Sequence, residues 1–350
     1  MKNFWQKIKK PIFCLAPMAD VTDCAFRKII CKYGKPDIFW TEFVSADGLA
    51  HREARKKLLI DLKFSQAEHP IVAQIFGAKP ENIKAAAILC QKLGFDGIDI
   101  NMGCPDKSIE KQGAGAAMIK NPKLAGEIIR AAKESGLPVS VKTRIGYNPP
   151  PPKGFGRASK NKIYLLDEEW IKTLLCEKLA ALTVHLRTRK EMSSVPAHWE
   201  LMPQIVALRN KISPKTLIIG NGDILSLENA KNKIKETGCD GVMLGRAIFG
   251  NPWLFTSPPT PPQSSPYQGE EEVIQKLKVL VEHTKLFEKM LMHPAKGESA
   301  SGGKNFAIMK KHFKAYVNGW EGAKELRVKL METENAKQVE KIVSDFLCKI

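Results

Sequence analysis

The chain has 350 residues, 43% of them hydrophobic and 26% charged, with 55 Lys and Arg against 37 Asp and Glu for a formal net charge of +18. That length accommodates one large core with a smaller second unit, and the basic excess favours a polyanionic partner, nucleic acid above all. No stretch approaches the ~18 apolar residues of a membrane span, and the N-terminal MKNFWQKIKKPIFCLAPM has too short an apolar run for a signal segment, so a soluble cytoplasmic chain is expected.

Strand-length apolar runs stand at Ile12 to Ala16, Ile38 to Phe43, Ile71 to Phe76, Gly97 to Ile100, Val139 to Lys142, Ala181 to His185, Leu217 to Gly220 and Gly241 to Leu244. Helical spacing fills the gaps at Asp23 to Lys32, Arg52 to Leu59, Pro80 to Leu93, Pro122 to Glu134, Glu168 to Leu179, His198 to Lys211 and Leu227 to Glu236. Eight strands with seven intervening helical stretches predict an α/β fold, a TIM (β/α)8 barrel, with nearly continuous apolar strands buried on both faces.

Two proline-rich segments interrupt the pattern. NPPPPK at 148–153 opens a long loop after the fifth strand, and SPPTPPQSSPYQG at 257–269 reads as a linker. Helical spacing resumes at Glu271 to Leu291, Asn305 to Val317, Ala323 to Met331 and Asn335 to Leu347, which predicts a small helical bundle. The expected organisation is a catalytic barrel over 1–256, the linker over 257–269 and a helical domain over 270–350. Three acid-free stretches, Met1 to Ala19, Gly146 to Leu166 and Ser299 to Trp320 with Lys304, Lys310, Lys311 and Lys314, are candidates for phosphate contact.

Eight cysteines, at 14, 24, 31, 90, 104, 176, 239 and 348, form no CxxC pair and no Cys/His set of zinc spacing, so free thiols and no metal are expected. Cys104 differs from the rest. It follows the fourth strand in DINMGCP, just past a tight Asn-Met-Gly turn, on the face where a barrel of this kind does its chemistry.

The other predicted strand ends deliver polar groups to that same face: Pro17 and Met18, Gln74, Asn101, Lys142 and Arg144, His185, Asn221 and Asp223, Gly245 and Arg246. The seventh and eighth strands run into glycine-containing turns, IIGNGD and VMLGRA, at the place where barrels hold phosphate on backbone N–H groups. A phosphorylated cofactor or substrate is implied. Lys142 and Gln74 suit the edge of a flat heteroaromatic ring, but from residue types alone FMN and a sugar phosphate stay unseparated. A Schiff-base aldolase using Lys142 would leave Cys104 and Gln74 without a role.

The segments LAPMADVTDCAFR at 15–27, QIFG at 74–77, DINMGCP at 99–105, VKTRIG at 141–146, NGDI at 221–224 and MLGRAIFGNPWLF at 243–255 resemble the ordered signatures of the tRNA-dihydrouridine synthase family. MKKHFKAYVNGWEGAKELRVKL at 309–330 resembles its helical tRNA-binding domain, and the layout is most similar to the bacterial B-type branch. The resemblance implies an FMN enzyme that uses NADPH or NADH to reduce the C5=C6 bond of selected tRNA uridines, with hydride from the flavin N5 and a proton from Cys104. It further implies cofactor contacts at Ala16, Pro17, Met18, Gln74, Lys142, His185, Asn221, Gly222, Asp223, Gly245 and Arg246, and contacts near the target base at Asn101 and Arg144. The expected partner is tRNA and the expected state a monomer. Lys107, Lys111 and the Lys310 to Lys314 stretch are candidates for its backbone phosphates. The chain departs from the family pattern in HLRTRKEMSSVPAHW at 185–199, where Leu186 stands in place of a glycine. The alternatives are another FMN-dependent barrel reductase, or a tRNA-binding protein whose catalysis has decayed.

Overall fold

The computed structural model describes residues 3–148, 166–256, 268–292 and 303–349. The apolar runs form nine short strands: β1 Ile12–Leu15, β2 Phe39–Trp40, β3 Val44–Ser45, β4 Ile71–Phe76, β5 Gly97–Met102, β6 Val139–Arg144, β7 Ala181–His185, β8 Leu217–Asn221 and β9 Gly241–Leu244. Every pairing is parallel, in the order β1-β9-β8-β7-β6-β5-β4-β2, with β3 continuing the β2 stave along β4. A bridge from Cys14 to Ile38 brings β1 back beside the start of β2, so eight staves close on themselves as the TIM-type barrel expected from the alternation.

The second stave is where sequence and structure part. Ile38 to Phe43 reads as one strand, but the ladder breaks after Trp40. Thr41 keeps one ladder bond, N–H to Val72 O at 3.0 Å, while its Oγ1 accepts the Gln74 N–H at 3.0 Å that a strand carbonyl would otherwise take. A threonine hydroxyl competing for a ladder donor interrupts the strand, and Glu42 is released to other partners.

Around the barrel stand α1 Cys24–Tyr33, α2 Ala46–Ala50, α3 Arg52–Leu58, α4 Pro80–Lys92, α5 Lys107–Glu110, α6 Pro122–Lys133, α7 Glu168–Cys176, α8 Met202–Ile212 and α9 Leu227–Thr237. Their ends follow from local chemistry: Asp23 caps α1 by accepting the Phe26 N–H at 2.9 Å, proline opens α4 and α6, and Gly238, at φ 71°, takes the left-handed turn that stops α9. The two shortest, α2 and α5, carry too few residues to show a period and were not expected.

Beyond the barrel, α10 Gln268–Phe287 runs on through a π turn at Glu288–Met292, followed by α11 Met309–Tyr316, α12 Ala323–Met331 and α13 Ala336–Leu347. The residues 257–267 that hold most of the expected linker lie outside the described residues, as do 149–165 of the long loop. The bundle does not close its core alone. Leu280, Phe287, Phe313 and Leu330 pack in one cluster with Cys24, Ala25 and Ile29, so one face of α1 is a wall of the bundle. Its other face, with Phe26 and Ile30, belongs to the barrel core.

Lys304, expected at a phosphate, is instead an internal pin. Its Nζ lies 2.5 Å from Glu42 Oε2 and 2.8 Å from Asp61 Oδ1, with only 11% of its side chain exposed. Burial works against its charge, but these carboxylates outweigh that and hold the ammonium protonated. Lys311 pairs with Asp20 at 3.1 Å on the exposed surface. All eight cysteines are free thiols, and among the described residues no His/Cys/Asp/Glu group is arranged to hold a metal. No described helix is long and apolar enough to cross a membrane.

Candidate active site

The strand C-termini open on a cavity of about 290 Å³. Ten residues expected at a cofactor line it: Ala16, Pro17 and Met18 after β1, Lys142 on β6, His185 at the end of β7, Asn221, Gly222 and Asp223 after β8, and Gly245 and Arg246 after β9. Arg187, Ser193, Ile224, Leu225 and Met243, five residues not named as cofactor contacts from the sequence, complete its lining. Leu225 is 75% exposed and extends the apolar edge of the mouth.

The β8 turn is shaped for close approach. Gly222 sits at φ 131°, and a Cβ there would stand 2.7 Å from the Ala197 Cβ, so any side chain would press into the neighbouring loop. Asp223 follows in the left-handed region at φ 52°. Its Oδ2 accepts the Ala197 N–H at 2.8 Å and a proton of Arg187 Nη2, and its Oδ1 accepts from Arg246 Nη2 at 2.9 Å. Burial works to raise the Asp223 carboxyl, but these bonds and the two arginine charges hold it below the usual carboxylate range. Asp223 therefore organises two cations at the rim.

The Lys142 ammonium has no hydrogen bond or ion pair to any described protein group. Burial, then the Arg144 charge, lowers its ammonium to about 8. His185 is neutral: burial first, then Lys142, Arg144, Arg187 and Arg246, hold its imidazole well below the ordinary value. An unpaired lysine, a neutral imidazole and two arginines face one cavity whose single carboxylate is already engaged. That donor set suits an anionic, oxygen-rich ligand.

Gln74 lies one layer deeper and does not line the cavity. It is fully buried, donating Nε2–H to Asp99 Oδ2 at 2.7 Å and accepting from Asn101 Nδ2 at 3.3 Å. Asn101 in turn accepts the N–H groups of Gly103 and Cys104 on its Oδ1, at 3.1 and 2.9 Å. Arg144 clamps the same loop from β6, with Nε on Gly103 O at 2.9 Å and Nη1 on the carbonyls of Thr188 and Met192 at 3.1 Å each.

Cys104 stands on this braced loop beside Phe43, Phe76 and Ile109. Burial pushes its thiol up, opposed by the Asp106 N–H and by the charges of Lys142 and Arg144, so at neutral pH it keeps its proton. Leu186, the departure noted in the sequence, is fully buried in the barrel core with its N–H on Asn221 O at 3.0 Å, and so points away from the mouth. Of the lysines expected at RNA, Lys107 and Lys111 lie in and just after α5, close to the Cys104 loop, and Lys310 and Lys314 on α11.

Arg187 is the one charged residue of the cavity lining that reading the sequence did not single out. A signal was present: it follows His185 by two positions, and its N–H turns back to His185 O at 2.8 Å, which brings the two side chains together.

Fold and site together define a class, a β/α barrel whose mouth presents cations and amide donors over one cavity, with a protonated thiol on the adjoining loop. A family model described as "Dihydrouridine synthase (Dus)" matches residues 14–350. The chain is 40% identical over 347 residues to the "Probable tRNA-dihydrouridine synthase" of Staphylococcus aureus strain Mu50, covering 99% of this chain and 96% of that one. It is 38% identical to the "Probable tRNA-dihydrouridine synthase 2" of Bacillus subtilis strain 168, covering 99% and 97%. Among solved structures, an old yellow enzyme homologue from Zymomonas mobilis overlaps 69% of this chain and 86% of its own at 13% identity and a TM-score of 0.45, too distant to carry an argument. The chain belongs to the dihydrouridine synthase family.

Proposed function

We propose that this protein reduces the C5=C6 bond of uridine in tRNA to dihydrouridine, using FMN held in the barrel mouth and NADPH or NADH as reductant. The observation that carries the reading is the donor-lined cavity beside a loop-braced, protonated Cys104 in a chain of this family.

A flavin held at the mouth by these residues would supply the hydride. The glycine turns after β8 and β9, with Arg246, would offer donors to its phosphate, Lys142 a positive charge to its ring edge, and His185 a further donor within the same cavity. Cys104 supplies the proton. Hydride and proton must arrive on different carbons of the uracil, so an acid held in fixed geometry is needed beside the reductant. The Asn101 and Arg144 contacts to the Cys104 loop provide that geometry, and the raised thiol keeps its proton until the transfer.

A uridine stacked in folded RNA has to be turned out to reach such a mouth, and the +18 charge suits the phosphates that must be held while it is. In this reading the protein works in the cytoplasm as a monomer, with the barrel over 1–256 as the catalytic unit and the helices over 270–350 engaging tRNA. The test is to record the visible spectrum of the purified protein, incubate it with NADPH and unmodified tRNA, and measure dihydrouridine by nucleoside mass spectrometry. Product from a yellow protein supports the proposal. A yellow, NADPH-reducible protein that yields none points to another flavin reductase, and a colourless one to RNA binding without redox chemistry.

A further inference from the structure

We propose that Arg187 is a positioning residue for His185, fixing its imidazole proton on Nδ1 so that the ring acts only as a hydrogen-bond donor toward an oxygen of the bound cofactor. The inference rests on the flavin reading above for the identity of that oxygen, but the tautomer itself is a property of the protein alone.

The geometry leaves the guanidinium little freedom. Arg187 is 3% exposed, and each of its three nitrogens has a partner: Nε donates to Val195 O at 2.6 Å, Nη2 to Asp223 Oδ2, and Nη1 to His185 Nε2 at 3.1 Å. A guanidinium has only N–H donors. His185 Nε2 must therefore present its lone pair, and a neutral imidazole accepting at Nε2 carries its proton on Nδ1.

The doubly protonated form is disfavoured by the surroundings. Lys142 and Arg144 approach from β6, Arg187 from its own stave and Arg246 from the turn after β9, while Asp223, the acid at this rim, is engaged by both arginines. The Nε2 and Cδ2 edge of the ring faces Gly222, with Cδ2 only 3.3 Å from where a Cβ would stand, so that side is closed. Nδ1 has no partner among the described residues, and His185 lines the cavity. The oxygen it meets is either a phosphate oxygen or a ring carbonyl. Both are acceptors, and a ring locked the other way would offer either one a lone pair.

The direct test is nitrogen-15 NMR of the histidine-labelled, flavin-free protein. His185 is expected to show a protonated Nδ1 and a lone-pair Nε2, unchanged as pH is lowered from about 8 through the ordinary histidine value of about 6.5. A proton on Nε2, or an imidazolium in that range, would overturn the proposal whatever the protein binds. Arg187→Met gives the second arm. FMN affinity, read by fluorescence quenching, should fall roughly three- to tenfold at alkaline pH, the weight of one neutral hydrogen bond. It should then recover as pH drops and the freed imidazole protonates, with Arg187→Lys partly rescuing it. A loss that is the same at every pH would mean a merely structural role and would also overturn the assignment. Riboflavin, which lacks the phosphate, locates the acceptor: equal losses for both flavins mean a ring carbonyl, and a loss for FMN alone a phosphate oxygen. If the unmodified protein binds neither flavin, the cofactor reading fails while the NMR result still decides the tautomer.

Discussion

Gln74 donates its Nε2–H to the buried Asp99 carboxylate at 2.7 Å, and this bond agrees with the direction of every amide between the barrel floor and Cys104. Asn101 accepts two backbone N–H groups on its Oδ1, so its Nδ2 has to face Gln74 Oε1, and Gln74 must then turn its own donors to Asp99. Asp99 completes the line by accepting from Ser140 Oγ at 2.6 Å. Strand register makes the chain possible, since Gln74 stands opposite Asp99 and Asp99 opposite Ser140. Removing the amide with Gln74→Leu leaves the carboxylate oxygen and the Asn101 donor unpaired in a dry core. Denaturant unfolding should show a loss of about 1–3 kcal/mol. A change within a few tenths would mean that the line does not orient the loop.

Asp99 also sets the charge at the mouth. Burial raises its carboxyl to about 6, and it and Lys142 stabilise each other's ionised forms, although burial is the larger influence on both. A raised carboxyl contributes stability that is fully present below its unfolded pKa of about 3.9 and is lost as pH rises through 6. Asp99→Asn preserves the acceptor for Gln74 and offers its NH2 to the Ser140 oxygen, so folding at neutral pH should be little changed. Lys142, however, loses the nearby anion, and its ammonium should titrate below its present value of about 8. The pH at which FMN affinity begins to fall should move down accordingly. An unmoved midpoint in fluorescence titrations would remove Lys142 from the cofactor's charge balance.

Cys104→Ala should bind flavin and let NADPH reduce it at the normal rate, while dihydrouridine formation drops by about 10²- to 10⁴-fold, the usual worth of a positioned acid. Because burial raises the thiol, the rate with saturating cofactor should stay level between about pH 6 and 8 and fall only beyond the ordinary thiol value of about 8.5. Stopped-flow flavin spectra and product mass spectrometry separate the two half-reactions. Collapse of flavin reduction in the variant would assign the thiol a different task.

The eight staves were legible because each is a short, nearly continuous apolar run closed by helical spacing, and ten of the eleven expected cofactor residues meet in one cavity because strand ends in a parallel barrel share a face. What the sequence hid is nonlocal. Gln74 reads as a ring-edge amide until its register with Asp99 is known. Arg144, expected near the base, holds three loop carbonyls contributed by segments up to 48 residues away. Glu42 reads as part of a strand, yet its two oxygens meet the Asp20 N–H and a lysine 262 positions later.

That lysine, Lys304, joins the bundle to the loop that carries Pro17 and Met18. Glu42 accepts the Asp20 N–H at 2.6 Å on one oxygen and the ammonium on the other, with Asp61 beside them and the buried Asp23 close enough to feel the charge. Lys304→Met keeps the aliphatic length but strands these carboxylates with no cation. Breaking a buried pair from one side costs about 3–5 kcal/mol, so thermal unfolding should shift down strongly at neutral pH. The deficit should shrink on acidification, because the Glu42 and Asp23 carboxyls, already raised by burial, then take up protons and become neutral. If the pin also steadies the Met18 turn, the folded variant should bind FMN more weakly than the unmodified protein at the same temperature. A variant as stable as the parent at pH 7 would show that the lysine is held by the fold rather than holding it.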